Sequence, residues 1–547
     1  MTQESADAPV AEETPSRHPG WALVLISVAQ LMVILDATIT NIALPYIGRD
    51  LDISQANLTW IVTGYALAFG GLLLLGGRLG DLYGRRKIFM TGLTIFAIAS
   101  LLGGLATNEA LLLSARGLQG FGAALASPAA LALIYTTFPP GPKRNRAFAI
   151  YAAMSGVGAA VGLILGGYLT GLNGVAGIEM SGWRLTFLIN VPIGLAAAFL
   201  APRVLTESES HPGELDVPGA ITGTLGLLSV VFGLSRAGNE AYGWSDPQTV
   251  FPLVAAVLLL ASFIAIEQRA EHPLLPLRIL KDRTRAASFA AMMVAPAAMF
   301  AMFFFLSLFI QQIVGYSPLR AGFAFLPFSF GIVFGAGLAS NLVNRIDPRF
   351  LAGTGTLLAS GGLFGFSRLA IDDSPAAVLE AVLAGGSAGQ DVSYLTSILP
   401  FVLLMALGMG MVFVPLTLTA VHRVPAHDSG IGSGVLNTAQ QVGGALGLAT
   451  LSTVALHFTQ NRSAEIGPEI GQAFAAAGVD PQQPVSDNVL TLGEVVGFQS
   501  SFTAGATSAF LAGSAMMLLA SAIIWTQLRI KHHELATDGA ETPAGVV

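Results

Sequence analysis

The sequence contains no cysteine, which excludes a disulfide scaffold and any structural zinc built on thiolates. Charge is nearly as scarce. Asp, Glu, Lys and Arg make up 11% of the 547 residues, where a soluble domain carries roughly 25%. That is too little to wet a globular surface of this size. The net charge of −7 offers no general basic face to nucleic acid. No GxxxxGK[ST] phosphate loop, no His-rich metal spacing and no TVGYG filter occurs, so ATP hydrolysis, metal catalysis and potassium conduction have no motif behind them. What is present in excess is apolar: 53% of residues, with a mean hydropathy of +0.68. The same figures exclude intrinsic disorder. The composition is that of an all-α polytopic membrane protein.

A membrane helix needs about 20 predominantly apolar residues. Fourteen runs qualify, near 21–44, 58–77, 88–106, 110–135, 147–171, 184–204, 217–235, 249–267, 286–313, 320–343, 350–370, 393–420, 430–457 and 502–527. With the N-terminus placed in the cytoplasm and the spans alternating, 19 of the 26 Lys and Arg fall on the inside, six fall outside and Arg116 lies within a span. This asymmetry places both termini in the cytoplasm. The runs at 217–235 and 249–267 decide between twelve spans and fourteen, and each is long and uncharged enough to cross. The expected organisation is a disordered cytoplasmic tail over 1–19, an N-terminal six-helix bundle over 20–204 and two linker helices with a cytoplasmic loop over 205–285. A C-terminal six-helix bundle over 286–527 carries a mobile outer loop at 458–501, and a second cytoplasmic tail covers 528–547.

An internal echo supports duplication. LGDLYGRRKIFMTG (79–92) follows the second span, and LVNRIDPRFLAGTG (342–355) follows the tenth. Thr91-Gly92 and Thr354-Gly355 occupy the same place in the two stretches, as do Arg86 and Arg349. Weak similarity between halves is typical of secondary transporters.

Asp36 is the most informative residue. It lies about 22 Å along the first span from Trp21 and about 12 Å from Leu44, at 1.5 Å per residue. An ionisable group at that depth is expensive unless paired, hydrated or protonated, and burial raises a carboxyl group's pKa toward the range where it exchanges protons. The alternative is a packing carboxylate tied to the Thr38 or Thr40 hydroxyl. Arg116 is the sole cation inside a span and lies at a similar depth, so the two could pair or share a cavity. It shares one helical face with Gln119, Gly120 and Ala123. In the loop GRLGDLYGRRK (77–87), Gly77 and Gly84 permit close packing or positive φ. Asp81 there is placed against a helix N-terminus, with Arg85 and Arg86 facing the cytoplasm and anionic lipid. Gly158, Gly162, Gly166 and Gly167 form a stripe that suits either tight packing or a rocking seam. Asn41 and Gln119 join Asp36 and Arg116 as candidates for proton coupling or substrate contact, and Gln311 is a candidate to line a cavity. Phe304, with its neighbouring phenylalanines, and Asn437, Gln440 and Gln441 are candidates to line a cavity.

These motifs resemble the major facilitator superfamily, and within it the fourteen-span drug:proton antiporters that include quaternary-ammonium and multidrug exporters. LDAT…ALP (35–45) is similar to that branch's first-span motif. Gly77, Asp81, Gly84, Arg85 and Arg86 match the superfamily's loop motif, and Arg116, Gln119, Gly120 and Gly122 its fourth-span motif. WRLTFLINVPIG (183–194) and GYSPLRAGFAFLP (315–327) also look like this branch. The resemblance implies two six-helix bundles plus two linker helices, a central substrate cavity and alternating access. It implies coupling roles for Asp36 and Arg116 and a gating role for Asp81. One departure is Leu163, which stands where the antiporter motif of span five has proline.

The expected function is therefore proton-coupled efflux of amphipathic, cationic or lipid-like compounds across the bacterial inner membrane. The proton motive force is the energy source, with no cofactor, metal or enzymatic activity. Substrates, protons and membrane lipids are the expected partners. A lipid or cell-envelope precursor translocase of the same fold, and a proton-coupled uptake symporter, are the alternatives.

Overall fold

A computed structural model describes residues 19–138, 141–175, 178–207, 215–238, 242–422, 429–476 and 487–537. The expected tail up to residue 18 and the last ten residues lie outside these.

Helices occupy all fourteen apolar runs. In the N-terminal half they are α1 (Pro19–Asp50), α2 (Gln55–Tyr83), α3 (Arg85–Gly104), α4 (Glu109–Thr137), α5 (Pro142–Thr170) and the pair α6 (Trp183–Leu188) and α7 (Asn190–Val204). The sixth run is broken at Ile189. Pro192 supplies no N–H for the carbonyl four residues earlier, which weakens the ladder at that point. A two-residue antiparallel pair, β1 (Gly174–Val175) and β2 (Ile178–Glu179), joins α5 to α6. The linker hairpin is α8 (Val217–Ala237) and α9 (Pro247–Glu267). The C-terminal half holds α10 (Arg283–Leu308), α11 (Pro318–Leu342), α12 (Pro348–Phe366), α13 (Pro375–Leu383), α14 (Leu399–Val421), α15 (Ser429–Ala476), α16 (Asp487–Gln527) and α17 (His532–Thr537). Side-chain caps start several of them. Asn108, Asp216, Asp246 and Asp282 each accept a backbone N–H of the following turn. Among the described residues, twelve helices are long and apolar enough to cross a membrane. The other two of the fourteen runs fall in α5, whose apolar part is Gly156–Thr170, and in the glycine-rich α12.

One expectation fails at the far end, the end opposite the start of α1. The stretch 458–501 is no mobile loop where it is described. α15 runs unbroken to Ala476 and α16 begins at Asp487, leaving only 477–486 outside the described residues. The interval 371–392 contains α13, whose Val378 and Leu379 pack on Ala473, Phe474 and Val496 of the two long helices. Helix extends past the apolar run because this apolar contact, formed outside any span, rewards the otherwise polar segment.

The internal echo has a structural counterpart. A Cβ on Gly92 would lie 2.7 Å from the Gly122 carbonyl, which packs α3 against α4; a Cβ on the matching Gly355 would lie 2.6 Å from the Gly408 carbonyl, which packs α12 against α14. The two halves therefore place the same glycine at the same helix crossing. α8 lies against α2 and α15, and is tied to them by Trp60 Nε1–H donating to Ser235 Oγ (3.2 Å) and Thr453 Oγ–H donating to the Leu234 carbonyl (2.8 Å).

The core is asymmetric along the bundle axis. The C-terminal bundle's core runs its full length and at the far end takes in Ile42, Leu44, Ile47, Leu58, Ile61, Leu163 and Phe187 of the N-terminal bundle. The near half of the N-terminal bundle closes on itself, around Ile26, Met32, Tyr65, Phe89, Phe96 and Leu133, and among the described residues this core takes none from the other bundle. At the far end, α5 and α11 meet backbone to backbone. A Cβ on Gly167 would lie 2.5 Å from the Pro318 carbonyl, and one on Gly322 would strike the Leu163 carbonyl.

Candidate functional site

Asp36 sits midway along α1 and is 1% exposed. Its two carboxylate oxygens are fully engaged. Arg116 Nη1–H, from α4, donates to Oδ2 at 2.7 Å; Gln119 Nε2–H, one turn on, donates to Oδ1 at 3.0 Å; Asn190 Nδ2–H, at the head of α7, donates to Oδ1 at 2.9 Å. Arg116 is equally buried. It also donates Nε–H to the Ile61 carbonyl (2.8 Å) and Nη1–H to Gln119 Oε1 (2.9 Å), and its guanidinium lies 4.3 Å from the Tyr65 ring centre. Gln119 Nε2–H further donates to Ser100 Oγ on α3 (2.7 Å). A buried pair of this kind holds only when geometry is good and remaining donors and acceptors are met, and here four helices besides α1 supply them. Two polar atoms at the cluster have no partner: Asn190 Oδ1 and Tyr65 Oη.

The hydroxyls expected as packing partners do not reach the carboxylate. Thr40 Oγ–H donates to the Asp36 main-chain carbonyl, and Thr38 Oγ–H to Ile34 and Leu35 carbonyls. Asn41 also stays outside the cluster. Its side-chain amide donates to the Ala37 carbonyl of its own helix, while its main-chain carbonyl accepts Ser307 Oγ–H from α10 (2.9 Å). Ser307 in turn accepts from Gln311 Nε2–H (2.9 Å), within the π-helical turn Phe309–Ile313 that follows α10. Asn41 and Gln311 thus belong to one strand of hydrogen bonds that joins the two bundles at the far end.

The remaining predicted positions are dispersed over both bundles. Phe304 does not line a cavity; it is 1% exposed and packs edge-on to Phe305 in the C-terminal core. Asn437 bonds back to Ser433 of its own helix, Gln440 points to the Met292 sulfur, and Gln441 packs on Gly70 of α2, where a Cβ would approach its own Cβ to 2.7 Å. Gly158, Gly162 and Gly166 seat α5 against Ile34, Thr38 and Ile39 of α1, while Gly167 faces α11. In the loop after α2, Gly84 has φ +100° as expected, but Gly77 makes only ordinary contact; the close approach belongs to Gly76, against the Ala124 carbonyl. Arg85 and Arg86 are partly buried, and each has partners within the chain. Arg85 bonds Asp81 at 3.1 Å, and Arg86 donates to the Leu205 carbonyl at 3.0 Å and pairs with Glu207. Asp81 is therefore engaged by its own neighbour and not by a helix N-terminus.

Asn190 is a site residue that sequence reasoning misses. Its one signal is its position inside WRLTFLINVPIG, two residues before the proline that breaks the span, as a polar residue at the depth of Asp36. Glu207, the partner of Arg86, has no such signal.

The sequence matches the Major Facilitator Superfamily over residues 26–448. It is 42% identical over 456 residues to the puromycin resistance protein pur8 of Streptomyces alboniger, covering 83% of this chain and 85% of that one. It is 38% identical over 470 residues to the MFS-type transporter EfpA of Mycobacterium tuberculosis (84% and 83%), and 37% identical over 463 residues to the cephamycin export protein CmcT of Amycolatopsis lactamdurans (84% and 89%). In fold it is similar to a bacterial homologue of the human lysosomal transporter Spinster, inward-facing and occupied, with a TM-score of 0.63 at 18% identity over 97% of this chain and 100% of that one. The chain belongs to the Major Facilitator Superfamily, as a multi-pass small-molecule transporter of the bacterial cell membrane and not an enzyme.

Proposed function

We propose that this transporter is a proton-coupled exporter of amphipathic compounds, cationic or lipid-like, with fourteen spans and both termini in the cytoplasm. The buried Asp36–Arg116 pair carries the reading. Among the described residues it is the one place in the spans where an acid and a base meet out of water. A proton arriving at Asp36 removes one of the two charges and with it the main attraction between α1 and α4. Arg116 remains held by the Ile61 carbonyl, Gln119 Oε1 and the Tyr65 ring. The proton motive force then favours one arrangement of the bundles and cargo the other, which is the differential affinity that alternating access requires. In this reading the sealed far end is extracellular and the separate near half opens inward. Export is favoured over uptake because the relatives are named for resistance and export. Leu163, where the antiporter motif has proline, places its main-chain carbonyl against Gly322 in the α5–α11 seam.

The test is reconstitution in liposomes containing a pH-sensitive dye, with an imposed proton gradient and a panel of lipophilic cations, neutral antibiotics and labelled lipids. Wild-type protein is expected to leak protons when cargo is added, and Asp36→Asn to insert normally but show no such leak. Gradient-driven export by Asp36→Asn at the wild-type rate would sink the role of the carboxylate.

A further inference from the structure

Under the proposed coupling mechanism Asp36 gains and loses a proton, and the role inferred for its neighbour Asn190 rests on that mechanism. As a carboxylate, Asp36 is matched to its surroundings, because Arg116, Gln119 and Asn190 all donate to it. A protonated Asp36 meets a different environment. Its own O–H must find an acceptor, and each of these three neighbours presents N–H. Leaving a buried donor unmet is costly. A carboxamide can solve this by turning over, since it carries a carbonyl on one side and an NH₂ on the other.

Two amides face Asp36, and they are held very differently. Gln119 is fixed at both ends: its Oε1 accepts from Arg116, and its Nε2 donates to both Asp36 and Ser100. Turning it breaks all three bonds. Asn190 is held by one bond, to Asp36, while its Oδ1 is fully buried and has no partner. Turning Asn190 breaks that one bond and brings its idle carbonyl onto the new Asp36 O–H. One end of the amide is idle before the turn and the other after it, so the exchange is close to balanced. We propose that Asn190 is a positioning residue that follows the protonation state of Asp36. It donates to the carboxylate and, after its amide turns, accepts from the acid.

Other titratable groups do not compete for this task. On α2, Tyr65 stacks on Arg116 and its hydroxyl has no partner. On α5, Tyr151 donates to Gln30. Between residues 88 and 104 of α3, 190 and 202 of α7, 286 and 308 of α10 and 321 and 342 of α11, the sequence contains no charged residue. Along α4, Arg116 is the only charge beyond Glu109.

The size of the effect comes from counting bonds. In Asn190→Leu each state loses one: the carboxylate keeps two of its three donors, and the acid loses the acceptor that the turned amide supplies. The two losses offset one another, so the midpoint should stay within about tenfold, one pH unit, of wild type, the worth of about one hydrogen bond. The measurement is an infrared pH titration of the full chain in lipid nanodiscs, with the Asp36 carboxylic-acid band defined as the one absent from Asp36→Asn. A midpoint within that unit, together with the amide-band change below, supports the proposal. A larger shift to higher pH would mean that Asn190 only donates to the carboxylate, which overturns it. A second measurement needs no stable leucine variant. In wild-type protein with ¹³C-labelled asparagine, the side-chain carbonyl band missing from Asn190→Ser should fall in wavenumber in step with the rise of the Asp36 acid band, as it gains a hydrogen bond. If it stays constant, the amide does not turn. If wild type shows no Asp36 acid band at any pH, the coupling role of Asp36 fails and takes this proposal with it, a result visible before any Asn190 variant is made.

Discussion

Removing the charge from Arg116 while keeping its bulk, as in Arg116→Met, tests how far Asp36 depends on its partner. Both side chains are 1% exposed and their closest atoms are 2.7 Å apart, so neither charge can fall back on water. Breaking such a pair from one side costs about 3–5 kcal/mol. The Tyr65 contact adds up to about 2 kcal/mol when desolvated. Asp36→Asn alone leaves the guanidinium buried without a counter-charge and should cost a similar amount. In Asp36→Asn combined with Arg116→Met no charge is left in the site, and Gln119 and Asn190 can still donate to the new amide's carbonyl. The double variant should therefore be more stable than Arg116→Met alone, with a coupling of about 2–3 kcal/mol, at the upper end for residues in direct contact. Thermal unfolding of the purified chain in one detergent–lipid mixture gives the ranking: wild type, then the double variant, then Arg116→Met. The Arg116→Met deficit should also narrow in acid, where the carboxyl can be neutralised. Additive losses, with the double variant melting lower than either single, would show that the two charges are solvated independently.

Two further predictions concern the ends of the bundle. Gly322→Leu places a side chain against the Leu163 carbonyl, so the far end cannot close. Because the chain has no native cysteine, a single Ser307→Cys, fully buried between the bundles in the parent, should become reactive to a membrane-impermeant maleimide when Gly322→Leu is added; unchanged protection would argue against this seam as the closing contact. At the near end, Asp347 accepts from the backbone N–H and ring of His532 (3.0 and 2.8 Å), which docks α17 and holds the Asp347 carboxyl below its ordinary value of 3.8. Its contribution is complete above the ordinary value and is lost as pH falls through the lowered one. Asp347→Asn should expose residues 532–537 to hydrogen exchange at neutral pH; equal protection in both proteins would show that α17 is held by other contacts.

Much of the fold was legible because a bilayer leaves few solutions. With no water to meet backbone groups, every long apolar run becomes a helix, and fourteen runs gave helices in fourteen places. The paired depths of Asp36 and Arg116 could be read from residue counting alone. Three features could not be. The helical extensions of α15 and α16 lie in polar sequence, and their order comes from an apolar patch shared with α13 that no periodicity of one segment reveals. Asn190 joins the Asp36 cluster across 154 residues of sequence, and an uncharged amide in a span gives no sign of which neighbour it will meet. Phe304 looked like a pocket residue because aromatics serve cavities and cores equally well, and only its burial against Phe305 separates the two.

The placement of charge and of close backbone contact assigns different work to different parts of the molecule. The ionisable cluster belongs to the N-terminal bundle, where α3, α4 and α7 anchor it firmly. The closing seam lies elsewhere, where glycines bring α5 onto α11 with little side-chain interlock. A change at Asp36 must reach that seam through elements that touch both. Among the described residues, α1 is the main such element, and α2 joins the cluster to the C-terminal bundle at α15 rather than at the seam. Five residues beyond Asp36, the Asn41 carbonyl accepts from Ser307 of α10, and the intervening Thr38 and Ile39 bed on Gly162 and Gly166 of α5. α2 offers Ile61 and Tyr65 to Arg116 and, less than two turns later, packs Gly70 on Gln441 of α15. A helix is stiff over five residues, so a small rotation of α1 that follows the loss of the Arg116 attraction moves Asn41 and the α5 contact together. The proton site can then act on the seam without any residue of the C-terminal bundle carrying charge within the membrane.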